Sequence, residues 1–381
     1  MTFFKKIFKK KEKTQESYYL ASQWTLMGRK LAKHKLARIS MVILGILYFG
    51  ALFGDFLAPY GLDEFDGLYR NCEPSKIHFV HEGEFVGPFV YKLKKSIDMD
   101  KYIVTLEEDT SEYYPIEFFV HRPDSEYKIL GIFPCDLHLF GVGAGSNGGT
   151  GAKIMLFGGD GLGRDLFSRI LYGSQVSLTM PFASAIISLF LGILIGSLSG
   201  YFGGMFDIIV QRIIEVIGAV PQIPLWMALS AAIPAGISSI EIYFYMTLIL
   251  SFINWTGMAR VVRGKMLSLK NEDYVMAARL SGVSTWGIIW KHLVPGFMSY
   301  LIVSMTLGIP GSIVGETSMS YLGLGIRSPA TSWGVLLQEA SAVTEIASNP
   351  HKLIPIIFVV ITVLAFNFLG DGLRDAADPY K

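Results

Sequence analysis

Residues 274–295, YVMAARLSGVSTWGIIWKHLVP, form a polar interruption between two long apolar runs. Ala277 and Ala278 precede Gly282 by a few positions, and Pro295 closes the stretch roughly three helical turns later. Residues three and four apart are neighbours on a helix, so Tyr274, Ala278 and Ser281 are predicted on one face. Small side chains there let a second surface approach closely. Gly282 can take the left-handed conformation that ends a helix, and Ser284 or Thr285 can cap the next one. The stretch predicts a rigid helix–turn–helix knob at a membrane surface, shaped for a groove in a partner.

The surrounding chain sets that membrane context. Of its 381 residues 51% are hydrophobic and only 17% charged, against about a quarter charged in soluble domains. A transmembrane helix needs about 20 mostly apolar residues, and six runs qualify: 39–57, 178–200, 213–233, 242–253 with its flanks, 297–314 and 353–369. The fourth is the weakest, because Asn254 follows a short apolar core. A large soluble protein with buried helices does not account for so many long runs. Pro221 and Pro224 in the third run predict a kink that frees backbone groups to line a cavity.

Lysine and arginine give the orientation. Lys5, Lys6, Lys9, Lys10, Lys11 and Lys13 make a basic tail, and Arg29, Lys30, Lys33 and Lys35 crowd the first run. Arg260, Arg263, Lys265, Lys270, Arg279 and Lys291 follow the fourth. With six spans these segments and the C-terminus share the cytoplasmic side. The net charge of +1 hides this sided distribution, which implies a membrane surface and not nucleic acid. The first apolar run is too long for a cleaved signal core. Trp24, Met27 and Leu31 recur at helical spacing, which places 22–37 as an amphipathic helix in the interface.

Residues 60–157 differ in character. Short runs such as IHFV (77–80), KYIVTL (101–106) and IEFFVH (116–121) alternate with turn residues, which reads as short strands in a small β-rich domain on the outer side. Both cysteines of the chain, Cys72 and Cys135, fall here. An oxidising compartment makes a disulfide between them plausible, and two free thiols remain the alternative. The segment ends in GVGAGSNGGTGAK (141–153), which contains a formal G-x-G-x-x-G but no following helix, so a flexible tether is the reading. The resulting division is a basic tail and interfacial helix (1–37), a first span (38–59), the insert (60–157) and a helical core (158–381) holding the loop at 271–295.

No catalytic constellation is legible. The one Gly-Lys pair, Gly264-Lys265, is followed by Met266, and Ala259 stands where a P-loop needs its first glycine. No two histidines stand at metal-ligating spacing in a span. The chain is therefore not its own motor and is read as non-enzymatic, with no cofactor or metal of its own.

The loop at 274–295 resembles the EAA loop of ABC-importer permeases, specifically the C-type subunit of the dipeptide/oligopeptide/nickel group. GGDGLGRDLFSRILYG (158–173) resembles the element preceding the second span in that group. SYLGLGIRSPATSWGVLL (320–337) resembles its outer segment after span five, and FNFLGDGLRDAADPYK (366–381) its C-terminal signature. Met276 stands at the glutamate position of the loop, Gly159 replaces a threonine, and the long insert is a larger departure.

The resemblance implies an all-α polytopic membrane protein with the six-helix type I ABC-importer permease fold, carrying the β-rich insert between helices 1 and 2. It implies one transmembrane half of a binding-protein-dependent importer in a bacterial inner membrane, for peptides or alternatively nickel or oligosaccharides. Its partners would be a second homologous permease, two ATPase subunits that bind ATP and Mg, and an extracytoplasmic solute-binding protein. Tyr274, Ala277, Ala278, Gly282 and Pro295 are then candidates to contact the ATPase. Glu316 and Pro221 are candidates for the translocation path, with packing the alternative for Glu316. Arg164, Asp165 and Arg169 either face the binding protein or cap and pair among themselves. A secondary transporter would need paired broken helices or a chain of intramembrane carboxylates, and a membrane-anchored receptor or enzyme would need a site in the insert. Neither is found.

Overall fold

The structure is a computed structural model describing residues 23–98, 103–129, 133–234 and 236–378. The lysines of the basic tail lie outside these residues. Helix α1 (Gln23–Leu31) precedes α2 (Lys35–Leu52), which His34 caps by accepting from the Ala37 amide at 3.1 Å. Met27 and Leu31 of α1 pack against Leu373, Ala376 and Ala377 at the far end of the chain. The apolar stripe read as lipid-facing is thus turned onto protein, although Trp24 stays exposed. A short α3 (Gly54–Leu57) follows.

Strands β1 (His78–His81), β2 (Glu84–Asp98), β3 (Ile103–His121) and β6 (Leu137–Val142) form an antiparallel sheet in the order β1-β2-β3-β6. Strands β4 (Tyr127–Ile129) and β5 (Phe133–Cys135) make a separate hairpin. Two runs read as separate short strands are joined, since the described part of the first, 103–106, and all of 116–121 belong to the single 19-residue β3. The polar residues Glu107, Glu108 and Asp109 pair with Lys94, Leu93 and Lys92 of β2, and residues 110–112 form an irregularity between paired stretches, so the strand continues. One face packs Val90, Tyr114, Ile116 and Phe140 around Tyr60 and Ile154. The glycine-rich stretch is not a free tether. The Glu112 carboxylate accepts from the Asn147 and Gly149 amides at 2.7 and 2.9 Å, and the Gly143 amide donates to Pro115.

Among the described residues five helices are long and apolar enough to cross a membrane, or six if one bent pair counts as a single span. They are α2, α4 (Leu166–Phe202), α7 (Ser239–Leu269), α11 (Met298–Tyr321) and α14 (Ile354–Ala377, with its preceding turn). The third expected span is broken. α5 (Gly204–Ala219) and α6 (Gln222–Ala231) meet at 91°. Pro221 has no N–H and disfavours helix in the residue before it, and Val220 is extended at ψ 130°.

Two spans run well beyond their apolar cores. α4 begins at Leu166 because Asp165 caps it, accepting from the Ser168 amide at 2.8 Å and hydroxyl at 2.6 Å. α7 starts on a Ser238/Glu241 capping box and continues through Asn254. These two helices pack intimately through Gly192, Gly196 and Gly200. A β-carbon at Gly196 would stand 2.5 Å from the Ala259 carbonyl oxygen. Small residues four apart let helix backbones close up where water supplies no hydrophobic drive.

Candidate functional site

The loop at 274–295 is built as a bracket. α8 (Asp273–Leu280) ends where Gly282 takes φ +78°, with the Val283 amide donating to Ala278 and the Gly282 amide to Arg279. Ser284 then caps α9 (Thr285–Gly287), its hydroxyl oxygen accepting from the Gly287 amide at 3.2 Å. A wide π-turn over Ile288–Leu293 leads into α10 (Val294–Gly296). Pro295 explains the widening, since its ring would clash with the carbonyl four residues back in a regular helix.

The bracket has an inner and an outer face. Val275, Ile288, Ile289, Leu293 and Val294 are buried against Ile193 of α4, Val262 and Met266 of α7, and Leu301 of α11. The loop is therefore fixed to the ends of three spanning helices at once, and Arg279 adds a bond to the Tyr201 hydroxyl. Outward face Tyr274, Ala277, Ser281, Gly282 and Pro295. Ala278 corrects the sequence reading. It is 8% exposed and points inward with Val275, so the free face is rotated by one residue to Tyr274, Ala277 and Ser281. Sequence reasoning also missed Leu280, which is 87% exposed, and Trp286, which is 54% exposed. Both are large apolar side chains inside a polar interruption, and that was the available signal.

At the opposite end of the helices lies a charge cluster. Asp160 accepts from Arg164 Nε and Arg169 Nη1, both at 2.7 Å, and from the Leu162 and Arg164 amides. Arg169 also reaches Glu339, at the end of α12 (Trp333–Glu339), with Nη2 donating at 2.9 Å. Burial works against the Asp160 charge, but the two guanidiniums and the amides outweigh it and hold its carboxyl below the ordinary value. Asp165 has no cation beside it, and burial pushes it up to about 6. Asp165 and Arg169 are each 2% exposed. A docking role for them is corrected, because they cap and pair instead. Arg164 joins the same pairs.

Glu316 is fully buried on α11, accepting from Ser177 of α4 at 3.0 Å and from Ser320 at 2.8 Å. Ser177 in turn accepts from the Trp333 amide. The carboxylate thus joins three helices and does not face an open path. Pro221 is exposed at the bend between α5 and α6. A cavity of about 300 Å³ opens between α4, α7 and α11, lined by Ser188, Asn254, Gly257, Ser304, Gly308 and Ser312. Within it Asn254 Nδ2 donates to Ser312 Oγ at 2.9 Å. The sequence reading counted Asn254 only as weakening its span.

Cys72 and Cys135 are free thiols, which corrects the disulfide. Cys72 is packed under the insert with Tyr69 and Met155, where burial pushes its thiol up to about 12. Cys135 belongs to the β4–β5 hairpin, opposite Tyr127. Gly159, the departure noted above, sits so close to the Tyr69 carbonyl that a β-carbon would clash there. Among the described residues no group of three or more His, Cys, Asp or Glu side chains forms a metal site.

Comparison with known proteins agrees with this architecture. Residues 192–380 match the profile described as binding-protein-dependent transport system inner membrane component, and residues 22–74 that of the N-terminal TM domain of oligopeptide transport permease C. The oligopeptide transport system permease protein OppC of Bacillus subtilis is 39% identical over 229 residues, 60% of this chain and 72% of its own. The dipeptide permease DppC of the same organism is 41% identical over 224 residues, covering 58% and 68%. The glutathione transport permease GsiD of Pectobacterium atrosepticum is 41% identical over 223 residues, covering 58% and 71%. The chain belongs to the family of binding-protein-dependent transport system inner membrane components, as a multi-pass permease subunit that is a transport and not a catalytic component.

Proposed function

We propose that the chain is one transmembrane half of an ATP-driven importer for peptides. It pairs with a second permease, two ATPase subunits that hold ATP and Mg, and an extracytoplasmic solute-binding protein. The observation that carries this reading is the bracket at 274–295. Its outer face, Tyr274, Ala277, Gly282, Leu280 and Trp286, is open, while its inner face is fixed to α4, α7 and α11. A partner that closes on ATP and moves this loop moves three helices together, which is what alternating access requires. Ala278 acts from within by close packing, and Pro295, on the outward side, acts by shaping the π-turn.

The bent α5–α6 pair is taken as one span, making six. Both termini and the bracket then lie on the cytoplasmic side of a bacterial inner membrane, as the lysine and arginine distribution favours. Asn254 and Ser312 offer amide and hydroxyl groups at membrane depth, where polar residues default to a pathway role. They suit a cargo rich in peptide groups, as the substrates named for the relatives are. Pro221 contributes the bend that opens backbone beside the path.

Gly282→Asp tests the assignment. It places a side chain at a positive φ in the docking face, and the expected result is loss of the ATPase on purification or loss of ATP-driven uptake. Normal assembly and uptake would overturn the coupling role.

A further inference from the structure

The sheet presents two adjacent exposed phenylalanines on β3, Phe118 and Phe119, at 64% and 60% exposure. In a regular strand neighbours point to opposite faces. Phe119 stands at φ +59°, an outlier for a bulky side chain, and the alternation breaks there. Glu117 pairs with Gly141 across the sheet, and a β-carbon on Gly141 would lie 3.5 Å from that of Val120. Glu117 and Val120, three residues apart, therefore share a face.

The two rings between them fall on the other side. Phe118 pairs with Phe140, whose ring is 6.1 Å from Phe167 of α4. The Phe119 ring is 6.4 Å from Phe56 in α3. This is the side of the sheet turned to the spanning helices.

What covers the pair follows from continuity with α2. That helix has 18 residues, a rise of about 27 Å, close to the roughly 30 Å of a hydrocarbon core. Phe49, Leu52 and Phe53 at its end are exposed, with the two rings 4.6 Å apart. Phe56 comes one turn later and touches Phe119. The exposed aromatic strip thus runs from a lipid-facing helix directly onto the sheet, at the depth where aromatic side chains concentrate in membrane proteins. A strained residue persists where its surroundings hold it and often marks function, and this one converts an alternating strand into a two-ring foot.

We propose that Phe118 and Phe119 rest in the headgroup region of the outer leaflet and anchor the insert to phospholipid. The outer placement rests on the orientation given above; lipid contact does not.

The test uses the assembled transporter in lipid nanodiscs, with spin labels on single cysteines at 118 and 119 in a Cys72→Ser, Cys135→Ser background. Leu52→Cys is the lipid control and Lys128→Cys the solvent control. Labels at 118 and 119 should be relaxed by oxygen more than by a water-soluble nickel chelate, as at 52. A profile like that at 128, or shielding from both agents by protein, would overturn the proposal. The unsubstituted complex gives an independent reading, because a photoactivatable phospholipid should cross-link within residues 116–121, and its absence there would count against lipid contact. Labelling of Lys128→Cys on intact spheroplasts with an impermeant thiol reagent decides the side. Labelling only after lysis would overturn the outer leaflet while leaving the oxygen result to decide lipid contact.

Discussion

The bracket at 274–295 and the cluster around Asp160 occupy opposite ends of the same helices and treat their side chains in opposite ways. The bracket leaves Leu280 and Trp286 in the open and buries only the residues that fasten it. The cluster buries Asp160, Asp165 and Arg169 and bonds most of their polar atoms internally, with Asp165 Oδ1 and Arg169 Nε left over. Exposed apolar groups are unpaid for unless something covers them, whereas a buried, paired carboxylate is already complete. The difference teaches that the polar-looking block at 158–169 is mainly structural and that the mixed one at 274–295 is the surface left open for the partner proposed above.

The sharpest way to break this comparison is Arg169→Ala. It leaves Arg164 as the one guanidinium still pairing with Asp160 and Glu339, and breaking a buried pair typically destabilises by about 3–5 kcal/mol, which is the upper bound here. The purified complex should melt well below wild type, with binding-protein affinity retained in whatever folds; unchanged melting would show the cluster to be dispensable. Asp165 gives a pH test of the same end. Burial raises its folded value to about 6, above the unfolded value near 4, so the folded state holds the proton more tightly. Stability should therefore fall as pH rises from about 4 to about 6, by up to about 3 kcal/mol. Asp165→Asn should flatten that slope in thermal melts, and a slope equal to wild type would place its cause elsewhere.

At the other end the expected effects shift from stability to docking. Leu280→Ser should leave the melting temperature unchanged but weaken ATPase association by about 2 kcal/mol, near 30-fold, as read by pull-down titration. A lowered melting temperature with intact association would reverse the roles of the two regions. Ser284→Ala removes the cap of α9, at about 1 kcal/mol, and should increase amide exchange at Gly287 alone.

Much of the bracket was legible locally. Gly282 had to end a helix and Ser284 could cap one, because both effects act within a few residues. Which alanine faced out was not, since Ala277 and Ala278 differ only in what lies beneath them. Leu280 and Trp286 were passed over for a related reason: apolar residues are ordinarily assigned inward. The strand at 103–121 was read as two because its polar middle looks like a turn until β2 is laid alongside it. Arg164 and Arg169 looked like surface charges until Glu339, far along the chain, came to meet them.

The sequence by itself determined the long apolar runs, the uneven distribution of charge along the chain, the absence of a P-loop and the position of the bracket. All of these depend on composition or on neighbours along the chain. Only the tertiary structure decided that the third span bends by 91°, that the cysteines stay apart, that Glu316 is buried among serines and that two phenylalanines stand on one side of β3. Each of these turns on what a distant segment places opposite a given side chain, and pairing, burial and desolvation are properties of the assembled fold.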